Sequence, residues 1–179
     1  LEVFRIWHGG MSFHGGVIGF VAVTIWYSYA YRISMWRLLN IGAIVATFAL
    51  MLGRLGNLIN GELPGTPFNG PWCAVFPAYG EICRHPYPIY AFISHLVLLI
   101  YLLYLVYRNR EHLARFFGKA TIGVHFLIGY GILRIITDIW KVDAVYYGIK
   151  TGQWLSIAMI CIGLLIIYVK KRRRHIDST

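Results

Sequence analysis

Charge is scarce in this 179-residue chain: Asp, Glu, Lys and Arg make up 13% of it, against about 25% in an average soluble domain. That scarcity excludes a surface solvated by water over most of its area. Acidic residues are scarcer still, 7 against 17 Lys and Arg, for a formal net charge of +10. In a soluble protein such a balance would point to nucleic acid, but the chain has no long basic face with interleaved aromatics, so nucleic acid is not an expected partner. Cysteine occurs three times, as Cys73, Cys83 and Cys161. None has the CxxC or Cys/His spacing of a zinc site, so no metal or other cofactor is expected. No signal peptide precedes the first apolar run, and position 1 is Leu rather than an initiator Met, which leads us to expect a piece of a longer chain.

Apolar residues, by contrast, make up 58% of the chain, and the mean hydropathy is +0.61. A transmembrane helix needs roughly 20 mostly apolar residues. Five stretches meet or approach that length, at 11–31, 38–59, 88–107, 121–140 and 153–169. The expected fold is therefore all-α, a single polytopic membrane domain of five transmembrane helices. Arg32 and Arg37 fall in the first loop, Arg108, Arg110, Arg115 and Lys119 in the third, and Lys170 through Arg174 in the tail, 170–179. Five spans put these three basic segments on one side, which the positive-inside rule makes cytoplasmic. The N-terminus and the second and fourth loops then face the opposite, periplasmic side.

The second loop, 60–87, contains Pro64, Pro67, Pro71, Pro77 and Pro86 with Gly65, Gly70 and Gly80. This composition predicts a small irregular periplasmic subdomain. Cys73 and Cys83, ten residues apart within it, either pair in that oxidising compartment or remain two thiols, and Cys161 is expected to be buried in the last span.

Ionisable groups within a span are costly, so each asks for a reason. The run GGMSFHGG (9–16) opens the first span with two glycine pairs around His14. Gly15 and Gly19 make a GxxxG pair that permits close approach of another helix or a ligand, and His14 is either a hydrogen-bonded packing residue or a general base. In GRLGNLINGELPG (53–65), Arg54 and Asn57 share one helix face about two turns inside the span. Arg54 there either grips a lipid phosphate bidentately or pairs with Glu62 or Asp138 as a structural bridge. RHPYPIY (84–90) brings the second loop back to the membrane, with Arg84, His85 and Tyr90 at headgroup level. In GYGILRIITD (129–138), Arg134 and Asp138 are four apart and suited to pair on one face, for structure or for function. All four clusters map to the same half of the membrane and together suit an anionic lipid headgroup. A transporter is the competing class, but these charges gather at one depth and do not continue across.

GGMSFHGG and GRLGNLINGELPG resemble two blocks of the phosphatidylglycerol–prolipoprotein diacylglyceryl transferase family. RHPxxxY, YGxxRxxx-acid and GQWLS (152–156) follow in the order that family has. The resemblance implies the last five spans of a seven-span transferase. That enzyme moves diacylglycerol from phosphatidylglycerol to the lipobox cysteine thiol of a prolipoprotein signal peptide, the first step of bacterial lipoprotein maturation. It implies catalytic roles for His14, Asn57, Glu62 and Arg134. Phosphatidylglycerol contacts are implied for Arg54, Gly65, Gly15, His85 and Asp138, Asp138 standing where the family usually has Glu. Other departures are Pro64 for tryptophan, Pro88 and Ala91 for Gln and Glu, and Lys141-Val142-Asp143 for RxPD. They leave a phospholipid-binding paralogue without catalysis as the alternative.

Overall fold

The computed structural model describes residues 13–176, which are mostly helical. In chain order the helices are α1 (Phe13–Tyr31), α2 (Met35–Ile59), α3 (Tyr87–Arg108), α4 (Leu113–Phe117), α5 (Thr121–Thr137) and α6 (Thr151–Ile176). Among the described residues, four segments are long and apolar enough to cross a membrane: Met35–Ile59, Tyr87–Arg108, Thr121–Trp140 and Thr151–Arg173. α6 continues past the expected limit at 169 into the basic tail. Lys and Arg are good helix formers, neither Gly nor Pro follows Gly163, and cations near a helix C-terminus complement its dipole.

The helices meet through narrow seams and leave broad apolar flanks uncovered. Ala43 of α2, Leu98 and Leu102 of α3 and Ile122 of α5 form the buried cluster. α5 and α6 approach closely where Gly131 lies against the Ser156 carbonyl and Ile160, and again where Gly163 lies against Ile128. Small residues allow such contact between spanning helices. Outside the seams, Ile100, Leu103, Leu165 and Ile167 are about half exposed. So much contiguous apolar surface is a liability in water and the normal contact surface in hydrocarbon.

One buried polar residue ties two helices together. Asn40 of α2 is wholly enclosed, and its Nδ2 donates to the Phe117 carbonyl at 2.9 Å and the Lys119 carbonyl at 2.5 Å. Its Oδ1 accepts from the Gly123 amide at 2.8 Å, in the first turn of α5, whose own cap residue Ala120 supplies no side-chain bond. Asn40 thus caps a helix to which it does not belong. Asn40→Ala is expected to destabilise the fold by about 1–3 kcal/mol for each polar group left buried and unmade, seen as a lower unfolding midpoint in detergent.

The second loop holds a short antiparallel pair, β1 (Ala74–Val75) with β2 (Cys83–Arg84), around a 3-10 turn at Pro77–Tyr79. The Cys73–Cys83 disulfide closes it, with the Cα atoms 5.5 Å apart, so the two cysteines are paired. Cys161 is a correction: it is a free thiol on an exposed face of α6, because α6 packs along α5 through its opposite, small-residue face. The nearly neutral fourth loop contains a hairpin, β3 (Val145–Tyr146) with β4 (Ile149–Lys150). Tyr147 and Gly148, at φ 52° and 79°, make the primed turn that a two-residue hairpin favours.

Candidate functional site

The ionisable residues gather at the end of the bundle where α2 and α5 finish and α3 and α6 begin. α2 ends in a Schellman turn. The Gly61 amide bonds to Leu58 O at 3.2 Å and the Glu62 amide to Asn57 O at 2.8 Å, with Gly61 at φ 65°, a conformation glycine adopts freely. This turn folds Glu62 back over Asn57, so that Asn57 Nδ2 donates to Glu62 Oε2 at 3.0 Å. Asn57 Oδ1 in turn accepts from Arg54 Nη1 at 3.3 Å. Among the described residues Arg54 forms no direct ion pair with an acid. Its link to Glu62 runs through an uncharged amide, which leaves most of its five N–H donors free for an anion.

Arg134 Nε donates to Asp138 Oδ2 at 3.2 Å, the i, i+4 pair expected from sequence. Asp138 is fully buried and its other oxygen, Oδ1, accepts from Tyr87 Oη at 3.0 Å. Arg134 Nη1 also reaches Tyr130 Oη at 3.5 Å. The first turn of α6 closes this cluster: a Cβ on Gly152 would fall 2.3 Å from Asp138 Oδ2 and 3.3 Å from Arg134 Nη2. From the other side Lys150 Nζ donates to the carbonyls of Asp138, Ile139 and Lys141 at 2.5, 3.0 and 2.6 Å, fixing the chain that leaves α5. Just beyond, burial raises the Asp143 pKa, but bonds from Lys141 and the Ala144 amide outweigh it and hold the carboxyl below its usual range.

Gly65 lies in a seam between the second and fourth loops. Its amide bonds to His85 O at 2.9 Å, and the neighbouring Thr66 amide bonds to Trp140 O at 2.8 Å. A Cβ at Gly65 would sit 2.7 Å from Trp140 O and 2.8 Å from His85 O, and backbone atoms yield little. Gly65→Ala is expected to force the seam open at a cost of about 1–3 kcal/mol, with a matching fall in the unfolding midpoint. His85 stacks on Phe68 at 4.0 Å and its Nδ1 lies 3.0 Å from Tyr90 Oη. Trp72 Nε1 donates to that same hydroxyl at 2.9 Å. An indole N–H can only donate, so Tyr90 keeps its own proton to give to His85 Nδ1. Burial lowers the His85 pKa from its usual value, which suits this neutral, accepting ring.

The structure therefore brings Arg54, Asn57 and Glu62 together, joins Arg134 to Asp138, and sets Gly65 and His85 in the loop seam above them. Gly15 belongs to the opening turn of α1, and the side chain of His14 lies outside the described residues. Three residues that pattern reading passed over join the site: Tyr87, Gly152 and His95. His95, on α3, is buried, and its Nδ1–H donates to the Ala91 carbonyl. Tyr87, His95, Tyr130 and Arg134 line a small internal space with about 10 Å³ open to a water molecule. A histidine inside the apolar run 88–107 was the available signal for His95. Gly152 had one in GQWLS, and Tyr87 had none beyond its place beside the RHP run.

Long apolar helices with two half-buried guanidinium groups at one end, Arg54 on a neutral amide and Arg134 on a carboxylate, define a helical membrane protein. A family model described as prolipoprotein diacylglyceryl transferase matches residues 1–169, and the chain belongs to that family. It is 39% identical to phosphatidylglycerol–prolipoprotein diacylglyceryl transferase of Rhodospirillum rubrum, over 97% of this chain and 65% of that protein. The enzyme of the same name from Polynucleobacter asymbioticus is 34% identical over 99% of this chain and 66% of its own length. That from Haemophilus influenzae is 40% identical over 93% and 62%. The chain thus spans about two thirds of the length of the curated relatives it matches.

Proposed function

We propose that this chain supplies the phosphatidylglycerol-binding and catalytic end of a prolipoprotein diacylglyceryl transferase of the bacterial inner membrane. α1 joins the four longer apolar segments as a fifth span. The site end and the disulfide-closed second loop face the periplasm, and the basic tail faces the cytoplasm. The observation that carries the reading is the pairing of two deep arginines at one bundle end: Arg54 held by an amide, and Arg134 held by a fully buried carboxylate. A phosphate diester is the lipid group that two such forks bind.

In the reaction, the lipobox thiol loses its proton to a base and the thiolate attacks the glyceryl carbon that bears the phosphate. The carbon–sulfur bond forms as the carbon–oxygen bond breaks, and glycerol phosphate leaves. A thiol of pKa near 8.5 needs the base, for which His14 stands first and His85 second. The leaving phosphate gains a negative charge, which Arg54 and Arg134 stabilise. Asn57 and Glu62 orient Arg54, and Asp138 orients Arg134. The full-length gene is expected to restore growth and thioether-modified lipoproteins to a bacterium depleted of its own transferase. Growth failure with normal membrane expression, alongside retained phosphatidylglycerol binding, would instead identify a lipid-binding paralogue.

A further inference from the structure

We propose that Tyr87 is a positioning residue that sets the distance and angle between the two arginine forks, an inference that rests on the phosphate-binding reading above. Tyr87 is fully buried at the first turn of α3 and touches both halves of the site. The guanidinium of Arg54 lies over its ring, 6.0 Å from the centroid, within cation–π range. Its hydroxyl donates to Asp138 Oδ1 at 3.0 Å, and Asp138 holds Arg134 through Oδ2 at 3.2 Å. One rigid side chain therefore links a cation on α2 to an ion pair on α5. Both torsions of Tyr87 are fixed by burial, so the link behaves as a strut.

Stability alone is a weak reason for this arrangement. A fully buried carboxylate beside a mostly buried guanidinium is often no better for stability than a well-packed apolar pair. What the arrangement provides is direction. Asp138 has both oxygens occupied, Gly152 closes off Oδ2, and Asn57 takes one donor of Arg54. The remaining N–H groups of each fork are those a phosphate would meet, and Tyr87 holds the two sets in fixed relation.

Two variants of the full-length protein divide the role. Tyr87→Phe keeps the ring beneath Arg54 and removes the bond to Asp138, whereas Tyr87→Gln keeps a donor for Asp138 and removes the ring. In nanodiscs containing phosphatidylglycerol, each is expected to raise KM for that lipid about tenfold, the size of one lost hydrogen bond to a charged group for Tyr87→Phe and of one lost cation–π contact for Tyr87→Gln, with a smaller change in kcat. The double variant Arg54→Lys with Tyr87→Phe is expected to lose less than the product of the two single losses, because both act on one geometry. A purely structural residue would lower the unfolding midpoint and leave KM of the folded fraction unchanged. Wild-type KM in whichever of the two variants folds, or full additivity with Arg54→Lys, would overturn the inference. If Arg54→Lys itself binds phosphatidylglycerol normally, the phosphate-binding reading falls. Weak binding by Arg54→Lys beside normal binding by Tyr87→Phe removes only the role of Tyr87.

Discussion

Arg54→Lys in the full-length protein is expected to lower transferase turnover roughly 10²–10³-fold, the usual loss when one preorganised donor to a developing charge is removed. The charge is retained, so the loss measures geometry. Lysine offers a compact ammonium on a flexible stem, whereas the guanidinium presents parallel donors in one plane. Two contacts hold that group: one Nη donates to Asn57 Oδ1, and Cζ lies over the Tyr87 ring, 6.0 Å from its centroid. Lysine would keep neither relation intact. Turnover and phosphatidylglycerol affinity should be measured together in detergent or nanodiscs, with the unfolding midpoint as a check on folding. Near wild-type turnover would remove the phosphate role from Arg54.

His14→Gln is expected to abolish thioether formation, a loss of roughly 10²–10⁴-fold or more if His14 is the general base, while phosphatidylglycerol still binds. In the sequence His14 stands between the pairs Gly9-Gly10 and Gly15-Gly16, and small residues permit close approach of a second molecule. His85→Gln is expected to keep measurable activity. The His85 ring is stacked on Phe68 and its Nδ1 accepts from Tyr90, an arrangement that builds the loop seam. If His14 is the base it must be unprotonated to act. The opposite activity pattern would transfer the role to His85, and loss of lipid binding in His14→Gln would make His14 a ligand contact.

The elements readable in the sequence were those whose cause is local. Apolar runs gave α2, α3 and the segment Thr121–Trp140 within three residues of their observed limits. The i, i+4 spacing of Arg134 and Asp138 gave a pair that the structure contains. The turn that ends α2 is likewise written in its own residues, with Gly61 where a left-handed conformation is needed. What was missed depends on residues far apart in the chain. Tyr87 meets Asp138 across 51 positions, and Gly65 is tight only because two other loop segments press on it. The hairpin at 145–150 escaped because each strand is two residues long, too short for an alternating pattern to register. Cys161 was misplaced because an apolar span does not reveal which of its faces meets protein and which meets lipid.

The borrowed cap on α5 bears on the order in which the chain assembles. α5 obtains the partner for its Gly123 amide from Asn40 of α2, a residue synthesised 83 positions earlier. Helices that enter a membrane one after another would therefore leave α2 waiting with an amide unpaired until the α4–α5 corner arrives. When it does, a single side chain satisfies the two corner carbonyls and the first turn of α5 together. That contact ties the level of α5 to that of α2, the two helices that carry Arg134 and Arg54.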